Sequence, residues 1–83
     1  MGAQAQYLLA ECYLDQKKYD QAIAEYMKVA PYPFKEWQSK ALYETAVAFE
    51  RKGERDRANE QFDELVTKYP ETEAAKLAGK RGR

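Results

Sequence analysis

The side chains able to do chemistry in this 83-residue sequence are few in kind. It has no histidine and a single cysteine, Cys12. A Ser-His or Cys-His nucleophile pair therefore cannot be assembled. A Cys/His zinc site and an intrachain disulfide are equally out of reach. Cys12 lies on an expected helix, and burial as a small hydrophobe is the expectation for it. Glu60, Asp63 and Glu64 form an acidic patch on one helix. Catalytic carboxylates need a desolvating cleft, so this patch is expected to be a solvated face. Nothing in the sequence supports a metal, cofactor, nucleotide or nucleophile site, and an enzyme is not expected.

The charge balance narrows the partners. Fourteen basic and fourteen acidic side chains give a formal net charge of zero. A generic nucleic-acid or membrane-surface binder needs a basic excess, so neither partner is expected. The one like-charge cluster, Lys80-Arg81 with Arg83, is expected to be a solvated end. No run of eighteen apolar residues is present, so no membrane insertion is expected. The first residues, Met1-Gly2-Ala3-Gln4, lack the charged start and apolar stretch of a signal peptide.

The elements that must position these side chains follow from an internal repeat. Shifted by 36 residues, Tyr7 falls on Tyr43, Ala10 on Ala46, Tyr13 on Phe49, Ala22 on Ala58, Tyr26 on Phe62 and Val29 on Leu65. Within each copy the apolar residues recur at helical spacing, as in Ala22, Ile23, Tyr26, Val29 and Ala30. Polar breaks at Gln16-Lys17-Lys18 and Arg51-Lys52-Gly53-Glu54 split each copy into an antiparallel helix pair, and Gly53 suits a left-handed turn position. Helices are expected at about 3–16, 19–30, 36–52, 55–68 and 72–81. Pro31 and Pro33 end the second and Pro70 the fourth, while Thr72 caps the fifth. Small residues permit the closest helix approach, so Ala10 should face Ala22 and Ala46 should face Ala58. Tyr13 with Tyr26, and Phe49 with Phe62, fill the wider space beside them. One hairpin alone cannot offset the entropy of ordering it, so the hairpins must stack.

This pattern resembles the tetratricopeptide repeat family. The first copy supplies Leu9, Ala10, Tyr13, Ala22, Tyr26 and Val29, and the second Leu42, Ala46, Phe49, Gly53, Ala58, Phe62, Leu65 and Pro70. Two departures stand out. Gln6 occupies the first copy's large-residue position, and the link 31–38 is longer than the family norm, which would rotate or shift the second repeat. The resemblance implies an all-α, right-handed superhelical stack of two hairpins plus a C-terminal closing helix. It is read as a single domain over 1–83, with repeats at about 3–36 and 39–72 and the closing helix at about 72–81. The ending Lys68-Tyr69-Pro70-Glu71-Thr72, with Ala75-Lys76, Ala78 and Lys80-Arg81, is similar to periplasmic tetratricopeptide proteins of bacterial envelopes. The Tol-Pal-associated coordinator and the outer-membrane assembly lipoproteins share it. That likeness implies a periplasmic address, with a cytoplasmic one as the alternative.

The family geometry implies that the first helix of each pair lines a concave groove. The inward positions would be Tyr7, Glu11, Leu14, Lys40, Tyr43, Val47 and Arg51, with Leu77 at the far end. Tyrosine suits such a surface because it is rigid and amphipathic. Some family members grip C-terminal carboxylates with lysine, asparagine and arginine. Tyr7 and Glu11 replace the first of these here, so a carboxylate clamp is not expected although Lys40 remains. Trp37 on the long link is expected to pack locally, with an edge contact to a partner as the alternative. The expected function is a protein or peptide interaction module. The alternative is a self-assembly unit, because nothing precedes the first helix to cover Ala5, Leu9 and Cys12. The abrupt Met1-Gly2 start suggests a piece of a longer array.

Overall fold

A computed structural model describes residues 2–29 and 31–80. Five helices follow in order: α1 (Ala3–Asp15), α2 (Tyr19–Met27), α3 (Lys35–Lys52), α4 (Arg55–Lys68) and α5 (Glu73–Gly79). Each packs on the next in sequence, and α1, α3 and α5 also touch as a row. Helices α2 and α4 lie behind that row without touching each other. The result is two helical hairpins and a closing helix in a slab of 31 × 29 × 15 Å.

The two hairpin turns are closed the same way. After α1, the amide of Lys18 donates to the Tyr13 carbonyl at 2.9 Å and that of Lys17 to Leu14 at 2.9 Å. After α3, Glu54 donates to Phe49 at 2.8 Å and Gly53 to Glu50 at 3.1 Å. This paired bonding satisfies the last helical carbonyls and requires a left-handed residue just past the helix. Gly53 meets that need at φ 98°. The equivalent residue in the first hairpin is Lys17, held at φ 62°, where a side chain is disfavoured.

The ends of α2 and α5 differ from expectation. Helix α2 stops at Met27, with Lys28 as its cap. Val29 then donates to Tyr26, and Tyr32 to Val29, each at 3.0 Å, so the chain leaves α2 in tight turns. Val29 is fully buried and anchors this exit. The expected last residue, Ala30, lies outside the described residues, as does Arg81 at the end of α5. Thr72 caps α5 as expected, its hydroxyl accepting from the Ala75 amide at 3.2 Å.

The core has two parts that meet at α3. The first joins Ala10, Leu14, Ala22, Ile23, Tyr26 and Val29 to Ala41 and Ala48 of α3. The second joins Ala46 and Val47 of α3 to Ala58, Phe62, Leu65, Ala74, Ala75 and Ala78. Phe49 packs against both. Ala10, Ala22, Ala46 and Ala58 are all buried, and the large rings of Tyr26 and Phe62 fill the space beside them. Gln6 is also buried, and its amide donates to the Glu25 carboxylate on α2, so a polar pair stands where the family carries a large residue. One expectation is overturned. Cys12 is exposed, because it sits on the outer face of α1, where no helix packs among the described residues.

Candidate functional site: the face of the α1–α3–α5 row

Three helices far apart in sequence bring their side chains to one surface. Tyr7 comes from α1, Lys40 and Tyr43 from α3, and Leu77 from α5. They line a depression of about 200 Å³ together with Glu44, Glu73 and Ala74. Leu77 is 48% exposed and forms its apolar edge. The other expected groove residues separate by depth and position. Leu14 (5% exposed) and Val47 (8%) belong to the core beneath the surface and support it from below. Glu11 and Arg51 lie outside the depression's lining.

Aromatic packing fixes the walls. The Tyr7 ring stands edge-on to Tyr26 at 5.5 Å and tilted against Trp37 at 5.5 Å. Tyr43 meets Phe62 edge-on at 5.7 Å. These separations suit the ring quadrupole, so each half-buried tyrosine is braced by a buried ring from the second helix of its own hairpin. Trp37 is half-buried against the first core, and the Lys40 ammonium sits 4.8 Å over its ring. It thus packs locally, behind Tyr7 and under Lys40. Trp37 lies in the first turn of α3 and not on the link where it was expected, and the next residue, Gln38, ties the link down: its amide donates to the Tyr32 carbonyl and its oxygen accepts from the Tyr69 hydroxyl at 3.2 Å.

The electrostatics are acidic. The Tyr7 hydroxyl donates toward Glu44 Oε2 at a long 3.4 Å. Burial first, then the Glu44 charge and the hydrogen bond to Glu11, push the Tyr7 phenol well above its ordinary pKa. Tyr26 is pushed up in the same sense, by burial and then by Glu11, Glu44 and Asp15, with Arg51 opposing. All four of those charged groups stand on α1 or α3. The Tyr26 hydroxyl is buried and has no hydrogen-bond partner among the described residues. Among those residues there is also no group of three or more Cys, Asp or Glu placed to hold a metal ion, and no helix is long and apolar enough to cross a membrane. The acidic residues Glu60 and Asp63 are exposed on α4, and neighbouring Glu64 pairs with Lys68 at 3.2 Å.

The stacked hairpins have counterparts among known proteins. Two family models, both described as tetratricopeptide repeat, match residues 40–72 and 1–36. Most of this chain is tetratricopeptide repeat. No curated protein matches it. Tetratricopeptide repeats imply a protein–protein interaction module and are typically non-catalytic scaffolds.

In repeat terms, α1 and α3 are the first helices and Tyr7 and Tyr43 are equivalent residues. The sequence pattern did not single out Glu44, Glu73 or Ala74. Glu44 was within reach, since it lies one turn beyond Lys40 on the same helix face. Glu73 and Ala74 join only through the docking of α5, which the repeat does not specify. A second depression of about 260 Å³ lies on the opposite side, where α2 and α4 stand apart over α3. Met27, Ala41, Leu42 and Phe49 contribute to its largely apolar wall.

Proposed function

We propose that the α1–α3–α5 face of this tetratricopeptide module binds an extended segment of a partner protein. The observation that carries this reading is the convergence of Tyr7, Lys40, Tyr43 and Leu77, from three helices, on one open depression. Rigid, braced aromatics beside an exposed aliphatic residue offer apolar area at little cost in side-chain order. Glu11 and Arg51 extend the surface, and Leu14 and Val47 hold its floor. The likeness of the ending at Lys68-Tyr69-Pro70-Glu71-Thr72 to envelope scaffolds supports the same class of work, in a periplasmic setting. Peptides selected from a random display library against the wild-type chain test the proposal. Leu77→Asp and Tyr43→Ala are expected to weaken the selected peptides at least about tenfold, the loss of a central anchor. Leu8→Ala, on the outer face of α1, is expected to leave them unchanged. Equal binding by all variants would move the site off this face.

A specific observation favours a second reading, self-association. Ala5 and Cys12 are exposed and Leu9 is partly so, while their equivalents Ala41, Thr45 and Ala48 are buried in the second repeat. Ala41 and Ala48 pack with α2. The outer face of α1 is thus built like a surface that receives another helix, and a second copy of this chain is the proposed occupant. Sedimentation across a concentration series tests it: association is expected, and Leu9→Lys should abolish it. A monomer at every concentration removes this reading.

A further inference from the structure

The charge on the α1–α3–α5 face is lopsided, although the chain as a whole is neutral. Glu44 and Glu73 line the depression, and Glu11 and Asp15 act on the tyrosine hydroxyls beside it. Among the residues that line the depression, two carboxylates face one cation, Lys40. Lys40 already rests on the Trp37 ring, so this aromatic wall holds one cation from within the chain. A second, independent feature points the same way. The Tyr26 side chain is 1% exposed, and its hydroxyl has no hydrogen-bond partner among the described residues. Its ring packs edge-on at 5.5 Å to that of Tyr7, which lines the depression. Its oxygen lone pairs sit in a negative field that favours a cationic N–H donor.

We infer that the depression receives an arginine or lysine side chain of a partner segment, flanked by an apolar residue. This rests on the reading that the α1–α3–α5 face is the partner-binding surface. The stem of such a side chain lies along Tyr7, Tyr43 and Leu77, and its head reaches Glu44 and Glu73. Arginine is favoured over lysine because its planar fork can donate to a carboxylate and to a hydroxyl oxygen at once. The flanking apolar residue rests on the exposed Leu77. Lys40 opposes the incoming charge, so its role is the reverse of a carboxylate clamp's.

Trp37 is the sole tryptophan and packs on Tyr7, so its fluorescence reports occupancy directly. The probes are a capped hexapeptide with two arginines between leucines and its glutamine and glutamate counterparts. The arginine peptide is expected to bind about tenfold more tightly than the glutamine one, with glutamate weaker still. Its affinity should fall as salt is raised, which needs no variant and no assumption about folding. Glu44→Gln and Tyr26→Phe should each weaken it several-fold, and Lys40→Met should strengthen it. Equal binding of all three peptides, unchanged by salt or by Lys40→Met, overturns the charge assignment and leaves the groove reading intact. No fluorescence response to any of the three peptides overturns both. Preference for the glutamate peptide, lost on Lys40→Met, overturns the inference in favour of a carboxylate clamp.

Discussion

At Ala5, Leu9 and Cys12 the first repeat opens to solvent the helix face that the second repeat buries at Ala41, Thr45 and Ala48. The two faces occupy equivalent places in one repeating pattern. What separates them is a neighbour: α2 packs on that face of α3, and among the described residues no helix packs on the matching face of α1. Residue type follows coverage only in part. The covered face carries small side chains that let α2 approach closely. The open face adds Leu8, which is 54% exposed. The pattern of a repeat therefore specifies a surface for packing, and the rest of the assembly decides whether it is filled.

Two further differences separate the repeats. The left-handed turn position is Lys17 in one and Gly53 in the other. The central ring is Tyr26 in one and Phe62 in the other, a difference of one buried oxygen that has no partner among the described residues.

The largest expected effect comes from those central rings. Phe62→Ala and Tyr26→Ala should each cost about 3–5 kcal/mol, the range for truncating a buried aromatic. Because α3 belongs to both cores, each variant should lose both hairpins together in a urea titration followed by circular dichroism. A Tyr26→Ala chain that kept α3–α5 folded would show the repeats to be independent units. The turns come next. Gly53→Ala should lose about 1 kcal/mol, and Lys17→Gly should gain up to about the same, since only glycine accepts positive φ without steric cost. Opposite signs in thermal melts sharpen the comparison, and equal signs break it.

Tyr26→Phe makes the first core resemble the second. It should stabilise the fold by about 1 kcal/mol, because a buried hydroxyl without a partner is removed. The same residue sets a sign with pH. The Tyr7 and Tyr26 phenols are raised by burial and by nearby carboxylates. Above pH of about 10 the unfolded chain releases these protons while the folded chain keeps them, so stability falls as pH rises further. Below that pH both states hold the protons and neither residue contributes a slope. Tyr26→Phe should flatten the alkaline loss, which urea midpoints between pH 9 and 11 would record. The smallest effect is one of access. Cys12 should react quickly with a maleimide in the folded chain, and a cysteine placed by Ala48→Cys in a Cys12→Ala background should be protected until unfolding.

Much of this fold is legible in the residues. The alanine and aromatic spacing marks both hairpins, and α4 runs over Arg55–Lys68 as its stripe and flanking breaks predict. The end of α2 is not legible. Pro31 marks a stop, but the turn begins earlier, at Lys28, where Val29 is drawn into the core. Cys12 was expected to be buried because the pattern places a small residue between repeats, and the sequence carries no sign of which faces have a neighbour. The site was half legible. The family resemblance implies a common face for Tyr7, Lys40, Tyr43 and Leu77 but gives no depth, so it groups Leu14 and Val47 with them although they lie in the core. Glu73 and Ala74 depend on how α5 docks, a tertiary contact that no local pattern encodes.

The central claim is that the α1–α3–α5 face, and not the outer face of α1 or the gap between α2 and α4, is where a partner segment binds. A two-dimensional amide NMR titration of the isotopically labelled chain with a library-selected peptide tests it most directly. The shifted amides should cluster at residues 7, 11, 40, 43–44 and 73–77. Shifts concentrated at residues 5, 8, 9 and 12, or around Met27 and Phe49, would contradict it.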